Sequence, residues 1–179
     1  MIMSFLCKTI LLGDSETQRR ILRRKASSDF SNQATFTAVD FGLRESFVDE
    51  TIVKFQLWNL INDRTRFVFF LGAHAGVVFF NIGNRSSFDQ VPDLISELWK
   101  KNGRGPIPVG LVGFSTNTKI RVNSEEIESY CKELSMTPIQ TIKNFQVPYV
   151  EVNLRDEPDL DSILVPIGRA YLAMVANRE

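Results

Sequence analysis

Two stretches, Ala75–Asn81 and Ile107–Gly113, carry apolar or small residues at nearly every position. Short runs of this kind fit strands covered on both faces. A chain that contains them must also supply the layers that cover them. Phe88, Val91, Leu94, Ile95, Leu98 and Trp99 follow helical spacing, and Gly103 stands beyond them as a stop signal. Ser124 is the expected N-cap of a second helix that turns Ile127, Tyr130, Cys131 and Leu134 inward. A last helix starts near Asp159 and carries Leu160, Ile163, Leu164 and Ile167, with Pro166 expected to kink it. Gln18–Ala26 sets Ile21 and Leu22 on one face and Arg19, Arg20, Arg23 and Arg24 on another, which predicts a short helix.

The remaining strands have clear limits. Phe5–Leu12 ends at Gly13, and Tyr149–Asn153 follows the irregular stretch Met136–Val147. In Thr51–Trp58, Val53, Phe55 and Leu57 alternate with Lys54 and Gln56, as in a half-buried strand. Asp49-Glu50 joins it to the extended segment Thr35–Val48, which predicts an antiparallel hairpin. Ser27–Ala34 is small and polar and reads as a loop. Alternating strands and helices give an α/β fold with a mostly parallel six-stranded sheet, one antiparallel edge hairpin and about five helices. No repeat, low-complexity stretch, linker or signal peptide divides residues 1–179, so one domain is expected.

Charge and composition exclude several function classes. Lys plus Arg and Asp plus Glu each number 21, and this neutrality argues against a nucleic-acid binder. The only histidine, His74, rules out a multi-His metal site, and two cysteines cannot complete a zinc cluster with it. Cys7 and Cys131 are too few for a disulfide framework and suit a reducing compartment. No apolar run approaches the roughly 20 residues of a membrane helix.

Several short strings then fall in a familiar order. Gly72-Ala73-His74, the apolar run to Asn81, and Asn84-Arg85-Ser86-Ser87-Phe88 resemble the corresponding strings of Rab proteins. Val39-Asp40-Phe41 resembles the end of their first switch, and Leu57-Trp58-Asn59 the entry to their second. Val112-Gly113 and Ser124-Glu125-Glu126 also fall where that family has them. From about Phe5 to Val175 the chain resembles a Rab-like small GTPase of the Ras superfamily. The resemblance implies a P-loop NTPase fold, a three-layer sandwich.

The nucleotide motifs of the family are altered throughout. Its phosphate loop reads Gly-x-x-x-x-Gly-Lys-Ser/Thr. The matching segment here is Gly13-Asp14-Ser15-Glu16-Thr17-Gln18-Arg19-Arg20. Gly13 is kept, but Gln18 puts a side chain where backbone must approach phosphate. Arg19 replaces the lysine with a planar fork, and Arg20 sets a cation where a Mg²⁺-binding hydroxyl belongs. Asn59 stands for the aspartate that supports Mg²⁺. Asn62 takes the place of the γ-phosphate glycine, and Asp63 that of the water-orienting glutamine, in a segment shorter than in Rab proteins. Asn117 replaces the guanine-reading aspartate, and an amide cannot accept both base hydrogen bonds. Val152-Asn153-Leu154-Arg155 replaces the string that closes over the base. Thr35 and Thr37 flank Phe36, which aligns with the first-switch threonine.

These substitutions lead to the expectation of a pseudoGTPase, a protein-interaction adaptor or complex subunit with no catalytic residue, metal or cofactor, and the resemblance implies a place in membrane trafficking or a related assembly. The alternative is an atypical GTPase that still holds GTP or GDP, with Mg²⁺, and hydrolyses it weakly or not at all. Phe41, Trp58 and Phe69 match the aromatic triad that Rab proteins show to effectors, and the competing reading is core packing. The basic run with Arg23 and Arg24 is either a solvated face or a contact for an acidic partner or lipid head group. Arg19 and Arg20 are expected to pair with Asp14, Glu16 or Asp63. No cysteine lies in the tail and Ile2 follows Met1, so the expectation is either that this sequence is trimmed or that the protein does not cycle onto membranes by its own lipid. The expected location is cytoplasmic, with any membrane contact made through partners.

Overall fold

The computed structural model describes residues 4–14, 39–60, 66–115, 119–140, 142–153 and 159–177. Six strands run in chain order as β1 Ser4–Gly13, β2 Val39–Val48, β3 Thr51–Leu60, β4 Ala75–Asn81, β5 Val109–Ser115 and β6 Tyr149–Asn153. Among the described residues five helices accompany them: α1 Arg66–Phe70, α2 Arg85–Asp89, α3 Val91–Lys101, α4 Ser124–Ser135 and α5 Asp161–Ala176. The strands form one sheet in the order β2-β3-β1-β4-β5-β6. Among the described strands only β2 and β3 pair antiparallel, and β1–β3, β1–β4, β4–β5 and β5–β6 are parallel. The α/β sandwich and the edge hairpin thus stand as the sequence implies.

The sheet separates two apolar cores. Over one face, Ile10, Leu12, Val78, Phe80 and Leu111 meet Phe70, Phe88, Ile95, Leu98 and Ile127. Over the other, Cys7, Leu11, Phe55, Val77 and Val112 meet Ile163, Leu164, Ile167 and Tyr171 of α5. Every residue of β4 up to Phe80 is buried, which is why its sequence shows no alternation. α5 lies close to the sheet because Gly168 has no side chain: a Cβ there would stand 2.8 Å from Val48 Cγ2 and 3.0 Å from Phe55 Cζ.

Some boundaries differ from the expectation for local reasons. The segment Phe88–Trp99 is split into α2 and α3 at Gln90, and Pro92, which has no N–H to give, lies in the first turn of α3. The strand expected at Ile107 begins at Val109, after Pro108, whose carbonyl accepts from Gly76 N–H at 3.0 Å. The cap of α4 is Asn123 and not Ser124: its side-chain oxygen accepts from Glu126 N–H at 2.8 Å. α5 is continuous across Pro166 and starts at Asp161, where Asp159 Oδ1 accepts from the amides of Asp161 and Ser162. The irregular stretch 136–147 is tucked down by buried Ile139 and Val147 and by half-buried Phe145. The expected helix Gln18–Ala26 lies outside the described residues. Among the described residues no helix is long and apolar enough to cross a membrane.

Burial of ionisable groups sets a pH limit on this fold. Burial pushes the Cys7 thiol from an ordinary value near 9 up to about 12, against a smaller opposing effect of its hydrogen bond with Thr9. Burial likewise raises Cys131 to about 11 and lifts the phenols of Tyr130 and Tyr149. An acid raised on folding stabilises fully below its unfolded value and loses that contribution as pH climbs through its folded value. Melting temperature is therefore expected to fall between about pH 9 and about pH 12, and Cys7→Ala to make the descent shallower in a pH series of thermal melts.

Candidate functional site

The C-terminal ends of β1, β3 and β4 meet at the point where strand order reverses, with β3 on one side of β1 and β4 on the other. In open α/β sheets such a point leaves a crevice. Here it holds a cavity of about 370 Å³ lined by Gly13, Asp14, Leu60, Asn81, Ser87 and Gln90 among others. Its described lining offers hydroxyls, amides and the Asp14 carboxylate, but no lysine or arginine.

Gly13 shapes the mouth of this cavity. Its φ is +92°, and a Cβ would lie 1.9 Å from the carbonyl oxygen of Phe79, its register partner on β4. Asp14 N–H donates to that same oxygen at 3.3 Å. The glycine retained at the start of the phosphate-loop segment is thus demanded by the backbone itself. Asn59 lies one strand away, fully buried, in register with Leu11 on β1 and Asp40 on β2.

The strings that carry the resemblance hold the cavity's far wall. Asn81 Oδ1 accepts from Gly83 N–H at 2.8 Å, while Asn81 N–H donates to Ser87 Oγ at 2.9 Å. Phe88 is buried with its ring 5.1 Å from Phe80 and 6.0 Å from Tyr130. Arg85 donates to both oxygens of Glu126 at 2.7 and 2.5 Å and to Asp89 at 2.9 Å. The Glu126 hydrogen bond leads in holding its guanidinium charged, and Asp89 adds to it. His74 takes a structural post: Nδ1 accepts from Lys8 N–H at 3.0 Å, its own N–H donates to Lys8 carbonyl at 2.8 Å, and its ring packs 4.9 Å from Tyr171.

The aromatic triad is assembled on the neighbouring surface. Phe41 meets Trp58 edge-on at 5.0 Å, and Phe69 lies 5.8 Å from Trp58 on the other side. Phe41 is 39% exposed, while Trp58 is partly buried and packs against the core. The Lys8 ammonium sits 5.1 Å from the Trp58 ring and donates to Leu71 carbonyl at 2.9 Å. Burial lowers the pKa of that lysine. Lys101 lies over Phe67 at 4.2 Å. Val68 and Leu71, exposed at 75% and 66%, extend the apolar surface.

Of the residues singled out from the sequence, Gly13, Asp14 and Asn59 gather at the strand ends, and Phe41, Trp58 and Phe69 form one cluster. Ser15, Arg19, Arg20, Arg23, Arg24, Asn62, Asp63 and Asn117 lie outside the described residues, as do Thr35 and Thr37. The proposed pairing of Arg19 and Arg20 lies there too. Sequence reasoning missed Gln90 on the cavity wall and the Lys8 contact, because each joins segments far apart in the chain. Asn81 and Ser87 were signalled by the strand-to-helix string but not read as lining a cavity.

Two outcomes are expected. Gly13→Ala forces a side chain into Phe79 at positive φ, so a loss of about 2 kcal/mol or more is expected in chemical denaturation. Phe41→Ala uncovers Trp58, so in a Trp99→Phe background its emission shifts to the red and iodide quenching rises.

Comparison with known proteins places these features. The Ras family profile matches residues 8–167. The chain is similar to Ras-related protein Rab-19 of Rattus norvegicus, 30% identical over 177 residues that cover 94% of this chain and 76% of that protein. It is 29% identical to GTP-binding protein ypt3 of Schizosaccharomyces pombe over 145 residues, 76% of this chain and 67% of the relative. Ras-related protein RABA1c of Arabidopsis thaliana is 27% identical over 146 residues, with the same two coverages.

Proposed function

Because this chain belongs to the Ras family and is Rab-like, we propose a function that uses the family's fold without its nucleotide cycle: a pseudoGTPase that binds protein partners as an adaptor or complex subunit. The observation that carries this reading is the Phe41–Trp58–Phe69 cluster, a part-exposed aromatic surface. Aromatic side chains that are rigid and partly exposed make strong anchors for protein partners. A cytoplasmic location, with recruitment to a membrane-associated complex through partners, goes with this proposal.

On this reading the described residues do not fit a magnesium nucleotide. Asn59 brings a neutral amide where a carboxylate would support the metal, and it is buried in the sheet. Asp14 brings negative charge to the mouth of the phosphate site. In sequence, Gln18, Arg20, Asn62, Asp63 and Asn117 alter the remaining contacts. A switch needs a ligand that distinguishes two states, and these substitutions remove the contacts to the γ-phosphate. One feature favours the second reading, residual nucleotide binding: Gly13 keeps the positive φ from which a phosphate loop departs.

Thermal shift with GTP, GDP and ATP, each with Mg²⁺, separates the two, together with analysis of nucleotide released on denaturation. A ligand at a hundred times its dissociation constant stabilises by about 2.7 kcal/mol. For a domain of this size that raises the melting temperature by about 5–10 °C. No shift and no released nucleotide are expected. A guanine-specific shift of that size at micromolar nucleotide overturns the proposal.

A further inference from the structure

We propose that the outer edge of β2 is a docking edge for a second copy of this chain, which pairs its own β2 antiparallel to it and continues the sheet across a two-fold axis. This inference does not depend on how the nucleotide site behaves. Among the described residues, β2 is an edge strand that pairs with β3 alone. Its ten residues hold an unbroken register with β3, and the strand contains no proline. Natural edges are ordinarily protected by short length, bulges, prolines or free charges. This edge has none of the first three.

Two of its charges, Arg44 and Glu45, are engaged within the chain. Arg44 donates through Nη2 to both carboxylate oxygens of Asp161 at 3.1 Å, and Ser46 Oγ donates to the same carboxylate at 2.8 Å. Glu45 pairs with Lys54 of β3 at 3.1 Å. Phe41, Leu43 and Phe47 share the face opposite α5 and are 39%, 44% and 65% exposed.

The sequence of the strand is complementary to itself. Residues opposite one another in an antiparallel pair point to the same side, so only registers that keep the apolar face aligned are allowed. Setting Arg44 opposite Arg44 of the second copy pairs the strand over nearly its whole length. Phe41 then faces Phe47 of the second copy, and Phe47 faces its Phe41, while Leu43 meets the methylenes of Glu45. Cross-strand aromatic pairs are among the favourable ones. The two opposed guanidiniums point to the α5 side, where each is already held by its own Asp161. The adjacent register on one side would set Phe41 against Glu45, and that on the other side would oppose Glu45 to itself. Such an isologous contact closes as a dimer and does not propagate.

Sedimentation velocity of the full chain from low to high micromolar concentration tests the proposal. A concentration-dependent monomer–dimer equilibrium is expected, with Phe47→Asp raising the dissociation constant at least about tenfold. Phe47 is mostly exposed, and an unchanged thermal melt shows that this variant still folds. The double variant Phe41→Cys/Phe47→Cys should give a covalent dimer under mild oxidation, since the native Cys7 and Cys131 are buried. A chain that sediments as a monomer throughout overturns the proposal. So does a dimer that is indifferent to Phe47→Asp and forms no such disulfide, and so does an edge that pairs only with a strand of another protein.

Discussion

Burial of the central strand on both faces is the constraint from which the rest of the molecule follows. Ile10 and Leu12 of β1 point into one core and Cys7 and Leu11 into the other. Its backbone bonds to β3 on one side and β4 on the other. Removing either apolar layer would leave half of β1 in water, so the two cores stand or fall together. Each large aliphatic side chain fully buried there contributes on the order of 2 kcal/mol. At the cavity mouth β1 runs so close to β4 that Phe79 leaves no room for a side chain at Gly13.

The hairpin is held differently from the centre. Its contact with α5 combines close packing at Gly168 with two arginine–carboxylate pairs, Arg44–Asp161 and Arg169–Asp49. Arg169 lowers the Asp49 pKa chiefly through its hydrogen bonds, yet both side chains are more than half exposed, so solvent screening weakens the pair. Arg44 is more sheltered, and its partner Asp161 also receives Ser46. Close packing at Gly168 and the sheltered Arg44–Asp161 pair together hold the hairpin on α5. This arrangement turns the face bearing Phe41 and Phe47 outward.

The strands were legible because their periodicity is unambiguous. Ala75–Asn81 and Tyr149–Asn153 have the bounds that their apolar runs imply, and Asp49-Glu50 forms the hairpin turn. Asp49 adopts φ +52° there, one of the few non-glycine residues in this region. Helix ends were less legible, since Asn123 and Ser124 are both good caps and only the backbone entering α4 decides between them. At the site, Gly13 and Asn59 were found because each occupies a motif position. The triad needed both the motif and the sheet, since Phe41 and Trp58 meet only through the β2–β3 register. Contacts such as Arg85–Glu126 had no local signal, because nothing in either segment specifies which distant element will cover it.

The order of pairing in the sheet also has a consequence in time. β2 and β3 are joined by a two-residue turn, whereas every other described strand pair joins segments much farther apart in the chain. Loop closure favours the short connection, so the hairpin is the sheet element that can form before the centre is assembled. Its apolar edge is then presented while β1 is still seeking its neighbours. Refolding yield should therefore depend on how crowded the chains are at that early moment, independently of how stable the finished fold becomes.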